Sequence, residues 1–577
     1  MVAATLPLPH TDSTAAEPTV NFSEARFAFR QLETWLTADE TNGGSEAQIE
    51  EQLQQRGRDL LRSLLQAHLR QRGSGDVGPA LQVFSPPAPA TTPDNAGVQR
   101  GSGAAGPALQ LFSPSAPAIT PDNAGVQAGG RADEPADEID EAATPVEVIT
   151  PDDAEVRTGG VRHGEKRHHD RTSNTVFGEV RIARTAYAAA GQASVHPLDE
   201  QLQLPKRSFS YPLQERLVRH AVQGPFDEAI NDVERDTGVR LSKRSAEQVT
   251  QEAASDFQSF YKQRQVTDAS RFGPIVVTGI DCKGVPMIRP EETLRKVRRG
   301  KGDKKQKKRM ATVATVRTQQ VRVRTPEEVV ESLFRTTPKE KPPRKHKGSP
   351  VAEEHKRVWA NLIQSKDEVI AEVVQEVKRV DPSGSKTHVA LCDGERALQK
   401  RILPALQGVA PATVLVLDLL HALEKLWKVA HCLHPEGSEE ATAWVKKQTL
   451  RVLKGKVSQA IKGMRCSATK QGLSGKKRET VDKVAKYLRR NRGYMRYDEY
   501  MRDGLPIASG CVEGACKNLI KDRMERSGMR WSLEGGEAMI RLRSLYLSGD
   551  LDEYWDFHLA EESRRLYPTR RWEVVVK

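Results

Sequence analysis

Between Glu46 and Arg70 the apolar residues Ile49, Leu53, Leu60, Leu61, Leu64, Leu65 and Leu69 recur on one stripe of a 3.6-residue period, which predicts a long amphipathic helix. Phe27, Phe29, Leu32 and Trp35 predict a shorter helix before it, so a helical hairpin opens the chain, suited to core packing or self-association. The run TVFGEVRIARTAYA, from Thr175 to Ala188, alternates around Gly178 and is rich in Val, Ile and Tyr, the pattern of a short β-hairpin. The period then turns helical. Phe226, Ala229, Ile230 and Val233 line one face, Gly238 is a helix stop, and Ser242 can cap a second helix carrying Ala246, Val249, Ala253 and Phe257. With Arg240, Lys243 and Arg244 opening the second helix, the pair fits a DNA-reading helix-turn-helix and an ordinary helical hairpin equally well.

Three later runs have a different form. PIVVTGID (Pro274 to Asp281), HVALCD (His388 to Asp393) and TVLVLD (Thr413 to Asp418) are β-branched and apolar, and each closes on a carboxylate. Any one such Asp is explained by capping the next helix. Three of them on neighbouring strands of an α/β sheet would gather carboxylates at adjacent strand ends, which is how a metal site is built. Beyond Asp418, nearly a hundred residues keep a helical period through Leu426, Val429, Trp444, Leu450, Leu453, Val457, Ile461, Val484 and Leu488.

Residues 74–160 break every period. GPALQVFSPPAPATTPDNAGVQ from Gly78 returns as GPALQLFSPSAPAITPDNAGVQ from Gly106, and the Pro/Ala/Gly composition predicts a disordered linker with an acidic end from Asp133 to Glu155. Arg295 to Arg309 holds ten basic residues and one acid, the density of a flexible phosphate-binding arm, and Lys339 to Lys347 repeats the theme. Over the whole 577 residues, 89 Lys+Arg stand against 77 Asp+Glu, a net charge of +12. The length predicts several domains. No run approaches the roughly 18–20 apolar residues of a membrane span, and the N-terminal stretch lacks the basic start and apolar core of a secretory signal. Six cysteines in this length suit a reducing cytosol, so a cytoplasmic, nucleoid-associated protein with no membrane partner is expected. His163, His168 and His169, and His431 with His434, lack partner pairs at zinc-finger spacing. Cys511 and Cys516 read as packed thiols, while alternation turns Cys282 and Cys392 away from the neighbouring Asp side chains.

Clustered carboxylates in basic surroundings suit two-metal phosphoryl transfer. Mg²⁺ prefers oxygen ligands, Mn²⁺ accepts the same set, and two such ions about 3.5–4 Å apart activate the attacking oxygen and stabilise the leaving one. At these residues the chain becomes recognisable. GIDCKG from Gly279, CDGERAL from Cys392, LDLLHALEKLW from Leu417 and GLPIASGCVEGACKNLIKDRMERSGMRW from Gly504 together resemble bacterial insertion-sequence transposases of the ISKra group. That group is similar to Mutator-like transposases with an RNase H-like Asp-Asp-Glu core. The resemblance covers most of Asn21 to Arg70 and of Arg171 to Phe557, and the proline-rich repeat departs from it.

The resemblance implies an α/β catalytic core of RNase H-like type, a mixed sheet flanked by helices, with an all-helical insertion and a mainly α-helical DNA-binding region before it. The expected division is a helical unit at 1–73, the linker at 74–160, a hairpin and helix-turn-helix-like region at 161–270, the core at 271–435, the insertion at 436–503 and the rest of the core at 504–577. Asp281 on the first strand, Asp393 on the fourth and Glu513 on the last helix match the catalytic, metal-holding triad, and Asp418 with His421 match an Asp-x-x-His element near the site. Asp393 is taken over Asp418 as second ligand because Asp418 is accounted for by that element, while Glu395 is read as solvated. Lys517 and Lys521 lie one and two turns beyond Glu513, and with Arg523, Arg526 and Arg530 they extend a DNA-binding surface. Trp531 reads as core in preference to a base-stacking residue. The implied activity is cleavage at the element's inverted-repeat ends and transfer to target DNA, with two Mg²⁺ ions and a homodimer or larger synaptic assembly. A catalytically inactive DNA-binding repressor and an RNase H-like nuclease without strand joining are the alternatives.

Overall fold

The computed structural model describes residues 22–42, 45–83, 160–265, 268–288, 308–335, 355–508, 510–568 and 572–574. Its centre is a five-stranded mixed sheet. Strands β1 (Ile275–Pro286), β2 (Lys308–Gln319), β3 (Lys356–Asn361), β4 (Thr387–Cys392) and β5 (Val414–Leu417) lie in the order β3-β2-β1-β4-β5. The first three form an antiparallel meander, and β4 and β5 add parallel to β1. Parallel neighbours need crossover connections, and the helices Lys366–Val380 and Arg396–Gln407 precede β4 and β5. Ser365 starts the first of these helices with a capping box, its hydroxyl accepting from the Glu368 amide. β1 runs five residues beyond Asp281, through Cys282, Lys283 and Gly284 to Pro286.

The free edge of β3 is covered by the helix Leu533–Ser548: Val358 N donates to Ser548 Oγ at 2.9 Å and Leu362 N to Glu537 Oε2 at 2.8 Å. An edge so capped cannot template another strand. On the β3 side, Glu376 has no exposed surface and accepts from Arg357 Nη1 at 2.5 Å, from His355 Nε2 at 2.9 Å and from Arg379. Burial alone would raise its pKa; the surrounding cations override that and hold it at about 2.

One apolar cluster runs from Leu213 through the sheet to Trp555, so the helices Tyr211–Ala221, Phe226–Thr237 and Lys243–Ala253 share the core of the sheet. The last two meet at Gly238, left-handed at φ 72°, and Ser242 caps the second by accepting from Ser245 N at 3.0 Å. Arg523, expected on a DNA-binding surface, is only 1 % exposed. Its guanidinium lies 5.4 Å from the Phe226 ring centre and 5.0 Å from that of Trp531, and Nε donates to Ala221 O at 2.6 Å. Arg543 likewise donates to Val222 O and to Asn518 O. Both arginines therefore cap the carbonyl end of the Tyr211–Ala221 helix, where positive charge is favoured.

Other segments also depart from expectation. The hairpin pairs Glu165–Thr175 with Gly178–Ala188, and its first strand, EKRHHDRTSNT, is too polar to alternate in the sequence. Within the tract read as linker, Leu81–Val83 is the middle strand of a second sheet, antiparallel to Val161–His163 and to Trp572–Val574. Residues 84–159 of that tract lie outside the described residues, as do 295–307 of the basic arm and the Lys339 to Lys347 cluster. Among the described residues no helix is long and apolar enough to cross a membrane.

Glu376→Gln leaves two arginines and a histidine around a neutral amide and is expected to cost about 3–5 kcal/mol in urea unfolding. Because the folded pKa is depressed, the Glu376 contribution is present above the ordinary value of 4.5 and is lost as pH falls toward about 2. The acid limb of the stability curve should therefore flatten in the variant.

Candidate metal centre

Strand register brings three aspartates to one level. Gly279 pairs with Leu391 and Cys392 with Leu417. Asp281 stands two residues beyond Gly279, Asp393 one beyond Cys392, and Asp418 one beyond Leu417, so the three stand abreast on β1 and just past the ends of β4 and β5. Neighbouring strands are about 4.8 Å apart. The Asp418 amide donates to Cys392 O at 2.8 Å, which carries the pairing to the last position.

A fourth carboxylate comes from the helix Gly510–Ala515, packed on the same side of β1. The close approach needs Gly279: a Cβ there would lie 3.1 Å from Thr315 Oγ1 and 3.2 Å from Val512 Cβ. The helix passes into a π-helical turn, Cys516–Lys521, whose first residue donates its thiol to Asp281 Oδ2 at 3.2 Å. Oδ1 accepts from the Cys282 amide at 2.6 Å, so both oxygens of Asp281 are oriented. Burial, then the Asp281 charge, pushes the Cys516 thiol pKa well up and keeps it a donor. Lys517 and Lys521, on this turn, are both exposed.

Asp418 is 1 % exposed. Its Oδ1 caps the helix Leu419–Leu433 by accepting from Leu420 N at 2.8 Å, and its Oδ2 meets His421 Nδ1 at 3.2 Å. His421 Nδ1 is also 3.7 Å from Glu513 Oε1. Ligand atoms of Asp418, His421 and Glu513 all lie within 4.8 Å of one another, and among the described residues no other group of three His, Cys, Asp or Glu does so. Of the expected triad, Glu513 thus sits in the tight group, while Asp281 and Asp393 stand beside it. The hydrogen bond to Asp418 raises the His421 pKa to about 9 against the opposing effect of burial, with help from the charges of Asp418 and Asp393. Burial and then the Asp418 charge raise that of Glu513, against the pull of His421.

The turn after β4 is held from the helical segment. Asp393 Oδ1 accepts from Glu395 N at 2.7 Å, and the Asp393 carbonyl accepts from Tyr487 Oη at 2.6 Å. Arg490 donates to Gly394 O at 2.9 Å. Gly394 is left-handed at φ 88°, and a Cβ there would lie 2.7 Å from Tyr487 Oη. Neither Tyr487 nor Arg490 was singled out by sequence, since YLRR looks like any basic helix; the CDGE glycine was the available signal. Glu395 is exposed and pairs with Lys366 at 3.3 Å.

Of the expected DNA-binding residues, Arg530 and Arg244 are exposed, Arg526 pairs with Glu228 at 3.1 Å, Arg240 with Glu234 at 3.8 Å and Lys243 with Asp227 at 3.0 Å. Trp531 is buried and donates Nε1 to Met524 O at 3.0 Å, the packing role.

A profile of an uncharacterised protein family, UPF0236, matches residues 154–275. The match takes in the hairpin and the helices that follow it, and ends before Asp281. No curated protein matches the chain.

Gly279→Val forces Val512 away and is expected to destabilise by about 1–3 kcal/mol in urea unfolding, with Gly279→Ala milder. For His421 the folded pKa is raised, so its charged pairing with Asp418 is complete below the ordinary 6.5 and is lost as pH rises through about 9. An NMR titration should find that imidazole protonated at pH 8, and Asp418→Asn should bring its midpoint back toward 6.5.

Proposed function

We propose that the chain is a DNA transposase of an insertion sequence, with an RNase H-like core that cleaves and joins DNA in a divalent-metal-dependent reaction. The observation that carries the reading is the alignment of Asp281, Asp393 and Asp418 at one level of the sheet, with Glu513 packed against the same side. This supports the order that the resemblance implies: an Asp on the first strand, one after the fourth, an Asp-x-x-His element after the fifth and a Glu on a later helix.

The donor set suits a hard cation. Asp281, Asp393 and Glu513 offer partly exposed carboxylate oxygens, and Glu513 is held above its ordinary pKa by burial and a neighbouring carboxylate, a strain that a cation relieves. Asp281, Asp393 and Glu513 would hold two Mg²⁺ ions, with Mn²⁺ a substitute. When bound, such ions supply activation of the attacking oxygen and charge neutralisation at phosphorus. His421, protonated to about pH 9, serves as a cation that keeps Asp418 and Glu513 apart in charge. Cys516 and the Cys282 amide orient Asp281, and Tyr487 and Arg490 fix the turn of Asp393. Exposed Lys517, Lys521 and Arg530 are available to phosphates. The reaction is hydrolysis of a phosphodiester at the element end, which frees a 3′-hydroxyl, followed by attack of that hydroxyl on target DNA. Holding two ends calls for a homodimer or larger assembly.

The test is an assay of cleavage and joining on labelled DNA carrying the terminal repeats of the element that encodes the chain. Asp281→Ala, Asp393→Ala and Glu513→Ala should each lose both by more than about a hundredfold, because even outer partners of metal ligands cost 10–100-fold, with end binding retained. Full activity in Asp393→Ala beside loss in Asp418→Ala would move the second ligand to Asp418. Cleavage without joining would mean a nuclease, and tight end binding with neither would mean a repressor.

A further inference from the structure

The slot between Val161–His163 and Trp572–Val574 is filled by Leu81–Val83, with Leu81 paired to His163 on one side and to Val574 on the other. Leu81 is fully buried against Tyr187, Ala80 is buried beside it, and the Gln82 amide donates to Gly160 O. The approach to the slot is equally specific. Thr185 N donates to Ser74 O at 2.8 Å, and Thr185 Oγ1 donates to Ser74 Oγ at 2.9 Å. Gly75 is left-handed at φ 67°, and a Cβ there would lie 2.7 Å from Leu198 Cβ.

Twenty-eight residues later these features return in the sequence. RGSGDVGPALQVFSP from Arg72 is matched by RGSGAAGPALQLFSP from Arg100. Ser102, Gly103, Ala108, Leu109 and Gln110 repeat each residue that the slot grips, and Leu111 falls where Val83 is only half-buried. Strand pairing through the backbone is indifferent to which copy supplies it. We infer that this slot is a binding surface for two strands of the same chain, Leu81–Val83 and its duplicate Leu109–Leu111, which compete for it.

The two copies differ where the competition is decided. Asp76 accepts from Lys166 Nζ at 2.6 Å and from Tyr187 Oη at 2.8 Å, and Val77 packs on the Leu81–Tyr187 cluster. Ala104 and Ala105 stand at the matching places in the duplicate. Alanine offers neither the carboxylate of Asp76 nor the branched side chain of Val77. Exchange places twenty-eight more residues between the slot and the helix Glu46–Gln71, whose Gln66 is bonded to the Arg181 backbone of the hairpin.

One cysteine can be made to choose. Arg162 is the Cα partner of Gln82, and cross-strand Cα distances of about 4.5–5.5 Å fall within disulfide range. A chain carrying Gln82→Cys, Gln110→Cys and Arg162→Cys, oxidised and mapped by mass spectrometry, is expected to give both the 82–162 and 110–162 disulfides in a monomer, the first in excess. Adding Asp76→Ala and Val77→Ala should shift the ratio toward 110–162 by about tenfold, the factor carried by about 1.4 kcal/mol of lost hydrogen bonding. Grafting Ala104→Asp and Ala105→Val, which leaves the first copy intact, should shift it the same way. The inference is overturned if the grafted chain forms 82–162 alone, or if the 110–162 link joins two chains.

Discussion

The carboxylates of Asp418 and Glu513 come within 4.8 Å of each other and repel, and the surrounding structure answers that repulsion. Asp418 spends one oxygen on its helix amide and the other on His421, whose imidazolium also faces Glu513. Asp281 is held by an amide and a thiol, donors without charge. His421 thus faces two carboxylates at once, those of Asp418 and Glu513. Like charges brought together disfavour the ionised form, and burial with the Asp418 charge raises the Glu513 pKa accordingly.

The same segment that carries Glu513 is fastened from below by buried arginines. Arg523 and Arg543 reach from it and from the helix behind it to the carbonyl end of the Tyr211–Ala221 helix. Burial lowers the Arg523 pKa to about 9, and the aromatic faces of Phe226 and Trp531 replace part of the lost hydration. The helices that resemble a helix-turn-helix are in this way one body with the Glu513 segment.

Much of this was legible in the chain. The runs ending at Asp393 and Asp418 are strands because β-branched residues fill both faces of a covered sheet, and Ser242 and Gly238 sit where a helix start and stop require them. What sequence could not supply was context at longer range. Arg523 belongs to a basic run that looks solvent-facing, and only the rings of Phe226 and Trp531, supplied by distant segments, show it to be core. The His421–Glu513 contact and the grip of Tyr487 on Asp393 join residues more than ninety positions apart. The strand at Leu81 was hidden because three residues are too few for a period and proline surrounds them.

That strand has a consequence for how the protein is made. Leu81 pairs with Val574, nearly five hundred residues later, and at about 5–20 residues per second a ribosome needs roughly 25–100 seconds to deliver the partner. Until then the strand can meet only Val161–His163, and one of its edges stays open to any extended chain nearby. The second sheet therefore closes only after every strand of the five-stranded sheet has been made.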